Sequence, residues 1–233
     1  MRSQSPSKAK WLLTGSLAAI FVSSLALAAW ARHHNPPVWA PDATQLARLA
    51  EVPSKVSDYS IQAPPGWDPQ LRGGPGKIGT EFDGPNDENN NHPFLMVMVM
   101  GLPNWGVDKR TPADFLDLRI TNIKRMVVNW KPGKYESGVI NGIPFARCHF
   151  TGNTPQNGNA VEGYMYVGRE GTYVCEIQAM YTAKTAADTG PLLDAAAMTF
   201  KKEIKPLASV PTSGVGRFIA SQPGTAPAQR SAG

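Results

Sequence analysis

Apolar residues follow three rhythms along this chain, and the first is unbroken. From Trp11 to Trp30 there is no charged side chain, and Leu12, Leu13, Leu17, Ile20, Phe21, Val22, Leu25 and Leu27 are diluted only by Ala, Ser, Thr and Gly. As a helix such a run would span roughly 30 Å, about the thickness of a hydrocarbon core. It has no polar face, which argues against a helix buried at the margin of a soluble domain. Arg2, Lys8 and Lys10 precede it and are expected to hold that end in the cytoplasm while the rest crosses. Two readings fit. Ala26-Leu27-Ala28 has the small-x-small pattern of a cleavage site that would release the chain before Ala29. The run is also long enough to stay as a single-pass transmembrane anchor. Residues 1–31 are thus expected to be a signal peptide or signal anchor, with the remainder of the chain extracytoplasmic, in the periplasm or exported.

The second rhythm is that of strands. Tyr59, Ile61 and Ala63 share one face of a first strand, which ends at Pro64-Pro65-Gly66-Trp67. Asp68 to Thr80, with Gly73-Gly74-Pro75-Gly76, reads as a loop, and Glu81-Phe82-Asp83 opens another strand before the polar stretch Gly84 to His92. Phe94 to Met100 is almost continuously apolar, as expected of a central strand covered on both faces. Val139-Ile140, Ile143 to Phe150, Ala160 to Val167 and Thr172 to Tyr181 come next with short connections, and Asn141-Gly142 favours a tight hairpin.

The third rhythm is helical. Leu116, Ile120, Ile123 and Val127 recur at 3–4 spacing in a segment from Pro112 to Val127. Thr111 is placed as N-cap, Pro112 as the first helical residue and Asp114 to complete a capping box. Leu192, Leu193, Ala196 and Phe200 give a second helix over Pro191 to Phe200. Asp42 to Val52 suggests a short helix after the Pro-rich spacer His33 to Pro41. These elements predict an α+β domain over residues 55–204, an antiparallel sheet flanked by helices in an α-β-α sandwich. A spacer with a short helix at 32–54 and the hydrophobic N-terminal helix precede it. A disordered Pro/Ser/Gly/Ala-rich tail at 205–233 ends the chain.

The strand and turn Tyr59 to Trp67, the mid-chain helix, the Asn141-Gly142-Ile143-Pro144 hairpin, the meander through Tyr173 to Ala179 and the helix ending in Thr199-Phe200-Lys201 together resemble the Mog1/PsbP-like domains. The resemblance implies an antiparallel sheet between helices, used for protein interaction or as an accessory to membrane complexes. It brings no catalytic signature. The acidic, Asn-rich insertion between Phe82 and Phe94 and the C-terminal extension depart from the simple pattern.

Charge changes the picture little. The formal net charge is +5. Without residues 1–28 it falls to +2, so much of the basicity belongs to the leader, and no basic block suggests nucleic acid. Candidate chemistry is sparse. Lys77 is followed by Ile78, so the glycines before it do not make a phosphate loop. There is no HExxH and no EF-hand spacing, and no cofactor or metal is expected. Trp105 and the acidic loop residues Asp83, Asp87 and Glu88 with His92 are the candidate interaction residues, and Trp67 and Trp130 are either core lids or partner anchors. His33 and His34 read as solvated spacer residues. In an oxidising compartment Cys148 and Cys175 could form a disulfide. A simple meander leaves one strand between them, about 9–10 Å, which favours buried free thiols.

Three functions remain. The first is a non-enzymatic accessory or protein-interaction domain, with a membrane-associated protein partner and contact with the membrane itself through an uncleaved leader. The second is a small-molecule-binding or hydrolytic site near Arg147 and His149 with an acid such as Glu162 or Glu176. The third is a purely structural domain.

Overall fold

A computed structural model of the chain describes residues 36–87, 91–102, 109–124 and 126–203. The leader, His33, His34, Glu88, Trp105 and the C-terminal extension lie outside the described residues. The described elements are α1 (Ala43–Leu46), β1 (Ser54–Val56), β2 (Tyr59–Ile61), β3 (Asp68–Gly74), β4 (Lys77–Asp83), β5 (Phe94–Gly101), α2 (Pro112–Ile123), β6 (Val128–Ile140), β7 (Ile143–Asn153), β8 (Ala160–Glu170), β9 (Tyr173–Thr182), α3 (Ala186–Met198) and β10 (Lys201–Lys202).

A seven-stranded antiparallel sheet in the order β3-β4-β5-β9-β8-β7-β6 organises the molecule. Strand alternation divides its side chains between two cores. On one face Leu95, Val97, Val99, Phe145, Tyr166, Cys175 and Ile177 pack with Leu193, Ala196 and Ala197 of α3. A three-stranded sheet, β1-β2-β10, lies on this side and adds Val56, Tyr59 and Ile61, with Phe200 stacked on Tyr59 at 5.1 Å. On the opposite face Ala146, Cys148, Phe150, Met165 and Val167 meet Phe115, Leu116, Ile120 and Ile123 of α2. Burying each of these larger side chains is worth about 1.5–3 kcal/mol, so both helices are held chiefly by their apolar stripes.

The helix and hairpin signals take the form their residues dictate. Thr111 and Asp114 complete a capping box, with Thr111 N–H donating to the Asp114 carboxylate at 2.7 Å and Asp114 N–H to the Thr111 hydroxyl at 3.3 Å. Asn141 and Gly142 have φ of +46° and +84°, the left-handed pair that a two-residue hairpin requires.

Four expectations need correction. Asp68 to Thr80 is not a loop: it folds as the β3–β4 hairpin, a sheet edge exposed along all of β3 and therefore without an apolar pattern to read. The short helix is confined to Ala43–Leu46, capped by Asp42, and Leu49 beyond it enters the core. The last helix starts at Ala186, before Pro191, because its first turns pack closely on β9: a Cβ on Gly190 would stand 2.8 Å from the Tyr181 hydroxyl. Finally, the spacer ends against the domain. Trp39 N–H donates to Val139 C=O at 2.8 Å and Val139 N–H to Pro37 C=O at 2.9 Å, a short parallel bridge along the outer edge of β6.

Candidate functional site

Most ionisable side chains that the sequence offers for chemistry are engaged in holding layers together. Arg147 lies on the α3 face of β7. Its Nε donates to Glu136 of β6 at 2.7 Å and its Nη1 to Asp194 of α3 at 3.1 Å. The Trp39 ring covers the guanidinium at 4.5 Å, and Trp39 itself sits where Gly138 leaves room, since a Cβ there would overlap the indole. Tyr166 donates its hydroxyl to Asp194, and complete burial pushes its pKa well up, with the nearby carboxylate adding to the effect. A shallow cavity of about 600 Å³ opens beside this cluster, lined by Trp39, Lys134, Tyr135, Glu136 and Arg147.

This arrangement divides the residues that sequence reasoning grouped as a binding or hydrolytic pocket. His149 and Glu162 share the Arg147 face, 3.5 Å apart, and His149 packs against the Tyr164 ring at 4.9 Å. Glu176 does not join them. It points to the other face, where Arg119 of α2 donates its Nε to it at 2.6 Å and also lies against the Met100 sulfur. The odd-even alternation of β9 is the reason: Cys175 and Ile177 face α3, so Glu176 must face α2.

The same rule separates the cysteines. Cys175 belongs to the α3-side core and Cys148 to the α2-side core, with β8 between their strands, and both are free thiols. The alternative of a Cys148–Cys175 disulfide is therefore corrected. Burial raises the pKa of both and pushes the Cys175 thiol up to about 12.

An apolar concavity opens at the far end of the α2 face. There α2 has ended, and the sheet is left with a cleft of about 480 Å³ floored by Phe94, Met96, Val161 and Met180, with Met126 at its margin. Glu81 and His92 line the β4 side, and Asn91 and Asn157 meet across the rim, the Asn157 amide donating to the Asn91 carbonyl at 2.9 Å. Asp83 stands beside the cleft, level with Phe94 in the β4–β5 ladder. One of its oxygens accepts from Gln70 at 2.8 Å; the other is buried without a hydrogen bond, 3.4 Å from His92. Burial and the neighbouring Glu81 carboxylate raise the Asp83 pKa. Asp87 shapes the loop, accepting from the Asn91 backbone at 2.9 Å. The structure thus brings Asp83 and His92 together, engages Asp87 with Asn91 in the loop, and adds Met96, Met180 and Asn157, which the sequence did not single out.

Of the remaining aromatic candidates, Trp67 packs on the α3-side core with its ring over Gly84, and Trp130 stacks on Phe150 at 4.6 Å. No group of three or more His, Cys, Asp or Glu suited to a metal ion occurs among the described residues. Nor is any helix among them long and apolar enough to cross a membrane.

No protein-family model matches the chain, and no curated protein matches it by sequence. Among solved structures it is similar to cyanobacterial PsbP from Synechocystis, at 14% identity over 70% of this chain and 89% of that one, with a TM-score of 0.48. It is also similar to LpqN of Mycobacterium tuberculosis, a protein involved in cell envelope biogenesis, at 10% identity over 72% of this chain and 99% of that one, TM-score 0.42. A third is PA94 of Pseudomonas aeruginosa, at 12% identity over 66% and 98%, TM-score 0.42. These likenesses concern chain path alone and carry no inference about family, activity or partner.

Proposed function

We propose that this chain is an extracytoplasmic, non-enzymatic accessory domain that holds another protein, with its leader directing it to or across the membrane. The observation that carries this reading is the cleft beyond α2, where Met96 and Met180 are partly exposed beside buried Phe94 at the end of an otherwise packed sheet face. Methionine adapts its shape to an incoming surface at little cost, which suits contact with a partner. The stronger charged groups support the same reading from the other side. Arg147 is engaged by Glu136 and Asp194, and Arg119 by Glu176, so both are occupied in joining helices to the sheet.

The test is crosslinking and affinity capture of the full-length protein from its native membranes, set against a version beginning near Arg32 and against Met180→Glu. A reproducible partner that is lost with Met180→Glu, in a variant of unchanged thermal stability, is the expected result. Capture indifferent to that substitution and to His92→Ala would remove the assignment of the cleft. No partner in any sample, with a control complex crosslinked efficiently, would overturn the accessory role.

A further inference from the structure

The two ends of the seven-stranded sheet differ in charge. One end gathers the β3–β4, β6–β7 and β8–β9 turns, the segment before α2, and the close of α3 with β10. Among the described residues there, Lys77, Lys109, Arg110, Arg169, Lys201 and Lys202 outnumber the acids beside them, Asp58, Asp114, Glu170 and Glu203. Asp114 is taken up by the helix cap and Glu170 by Lys202 at 2.8 Å, whereas Arg169 donates only to carbonyls, that of Arg110 at 2.7 Å. Tyr173 and Ile78 lie at the same end, 46% and 54% exposed. At the other end, beside the cleft, the described strand ends and turns carry Asp68, Asp83 and Asp87 with Lys124 and Lys184. The sheet is thus basic at its turn end and not at its cleft end.

The length of the spacer limits independently which surface can meet a membrane. The apolar run of the leader ends at Trp30, and the spacer is fastened to β6 at Pro37, whose C=O accepts from Val139 N–H. Those seven residues reach at most about 25 Å, of which the headgroup layer takes up about 6 Å. Pro144, the partner of Val139, and Asn153 are nine residues apart along β7, so the cleft end lies roughly 30 Å from the fastening point. The β3 edge is six strands from β6, roughly 29 Å. With the leader retained, neither can rest on the bilayer. The turn end can, because Val139 is next to the last pair before the β6–β7 turn.

From reach and charge together we propose that the leader stays as an anchor and that the turn end of the sheet docks on a bilayer of anionic phospholipid. The lysines and arginines there take the phosphate headgroups, and Tyr173 sits at headgroup level, as interfacial tyrosines do. The cleft then faces away from the membrane, open to a partner in the compartment. This inference goes beyond the accessory reading and does not depend on it.

The test uses the full chain reconstituted into vesicles of phosphatidylcholine, with or without phosphatidylglycerol, that carry a nitroxide on a lipid headgroup. A fluorophore is attached at Thr172→Cys, in the β8–β9 turn, or at Gln156→Cys, in the exposed loop between β7 and β8 at the cleft end. Cys148 and Cys175 are buried and stay unlabelled. With phosphatidylglycerol present, quenching at position 172 should exceed that at 156 several-fold. The excess should fall in about 0.5 M salt, which screens exposed charges. It should fall also in Lys77→Glu/Lys109→Glu, which alters two exposed side chains and should leave Tm unchanged. Equal quenching at both positions, stronger quenching at 156, or quenching at 172 indifferent to phosphatidylglycerol, salt and charge reversal would overturn the proposal. So would an intact mass from native membranes that lacks residues 1–28. If docking fails while Met180→Glu still abolishes partner capture, the membrane surface falls and the accessory reading stands.

Discussion

At the scale of single residues, two side chains on opposite faces show how the same charge chemistry serves different ends. Arg147 ties β6, β7, α3 and the Trp39 segment together through Glu136, Asp194 and the indole face. Arg147→Met keeps most of the volume but strands two carboxylates, so unfolding in denaturant should show a loss of about 2–4 kcal/mol. Trp39 fluorescence should change in the native baseline as well. Asp83 does the reverse. Its folded pKa is raised, by burial first and Glu81 second, with the His92 side chain and Arg72 only partly offsetting them. A carboxyl with a raised folded pKa destabilises the native state above that pKa and ceases to do so below its unfolded value near 3.9. Asp83→Asn, which keeps an acceptor for Gln70, should therefore raise Tm at pH 7 by about 2 °C, a gain that shrinks toward zero as pH falls below about 4. A Tm difference independent of pH would show that the carboxylate is not the destabilising group. The half-buried Asp83 carboxylate thus lowers the stability of the folded domain at neutral pH.

At the scale of elements, the contrast between β6 and α2 explains what a sequence reveals. The α2 stripe of Leu116, Ile120 and Ile123 and its capping box were legible because both depend on nearest neighbours in the chain. Only Val139-Ile140 of β6 was legible, although the strand begins at Val128. Its remaining residues are an exposed sheet edge, interrupted by Pro132 and Gly133 and by two register shifts, so no alternation marks them. The candidate site divides in the same way. Asp83 and His92 were visible as a polar, acidic loop, whereas Met96, Met126, Met180 and Asn157 arrive from separate segments and meet only in the folded sheet. Even the apolar run of β5 was half misleading, since Leu95 and Val97 are fully buried but Met96 and Met98 are not. The hairpin at Asn141 tests a tie between elements. Its side-chain amide donates to Phe200 C=O at 2.9 Å and Met198 C=O at 3.2 Å, fastening β6–β7 to the end of α3. Asn141→Gly preserves the left-handed turn and removes only that tie, with an expected loss of about 1 kcal/mol by chemical denaturation. Asn141→Ala should lose about 1 kcal/mol more, because it adds the cost of a positive φ. Equal losses from the two would mean that turn conformation is unimportant here.

At the scale of the whole molecule, the seven-stranded sheet acts as a partition. Each face has its own core and its own helix. The two thiols probe this partition directly, since Cys148 lies in one core and Cys175 in the other, both without exposed surface. With burial holding both thiols protonated at neutral pH, nucleophilic thiolate is scarce and access is blocked in the native state. A thiol-specific reagent should accordingly modify neither cysteine at about pH 7.5 on the timescale of minutes. It should modify both together once denaturant unfolds the sheet, because exposing either one opens a core that the sheet shares. Oxidising conditions should leave the native protein free of a Cys148–Cys175 bond, and reduction should leave its denaturation midpoint unchanged. Rapid labelling of Cys148 alone would mean that the α2 layer opens by itself. A disulfide recovered from folded protein would overturn the assignment of the two thiols to opposite faces.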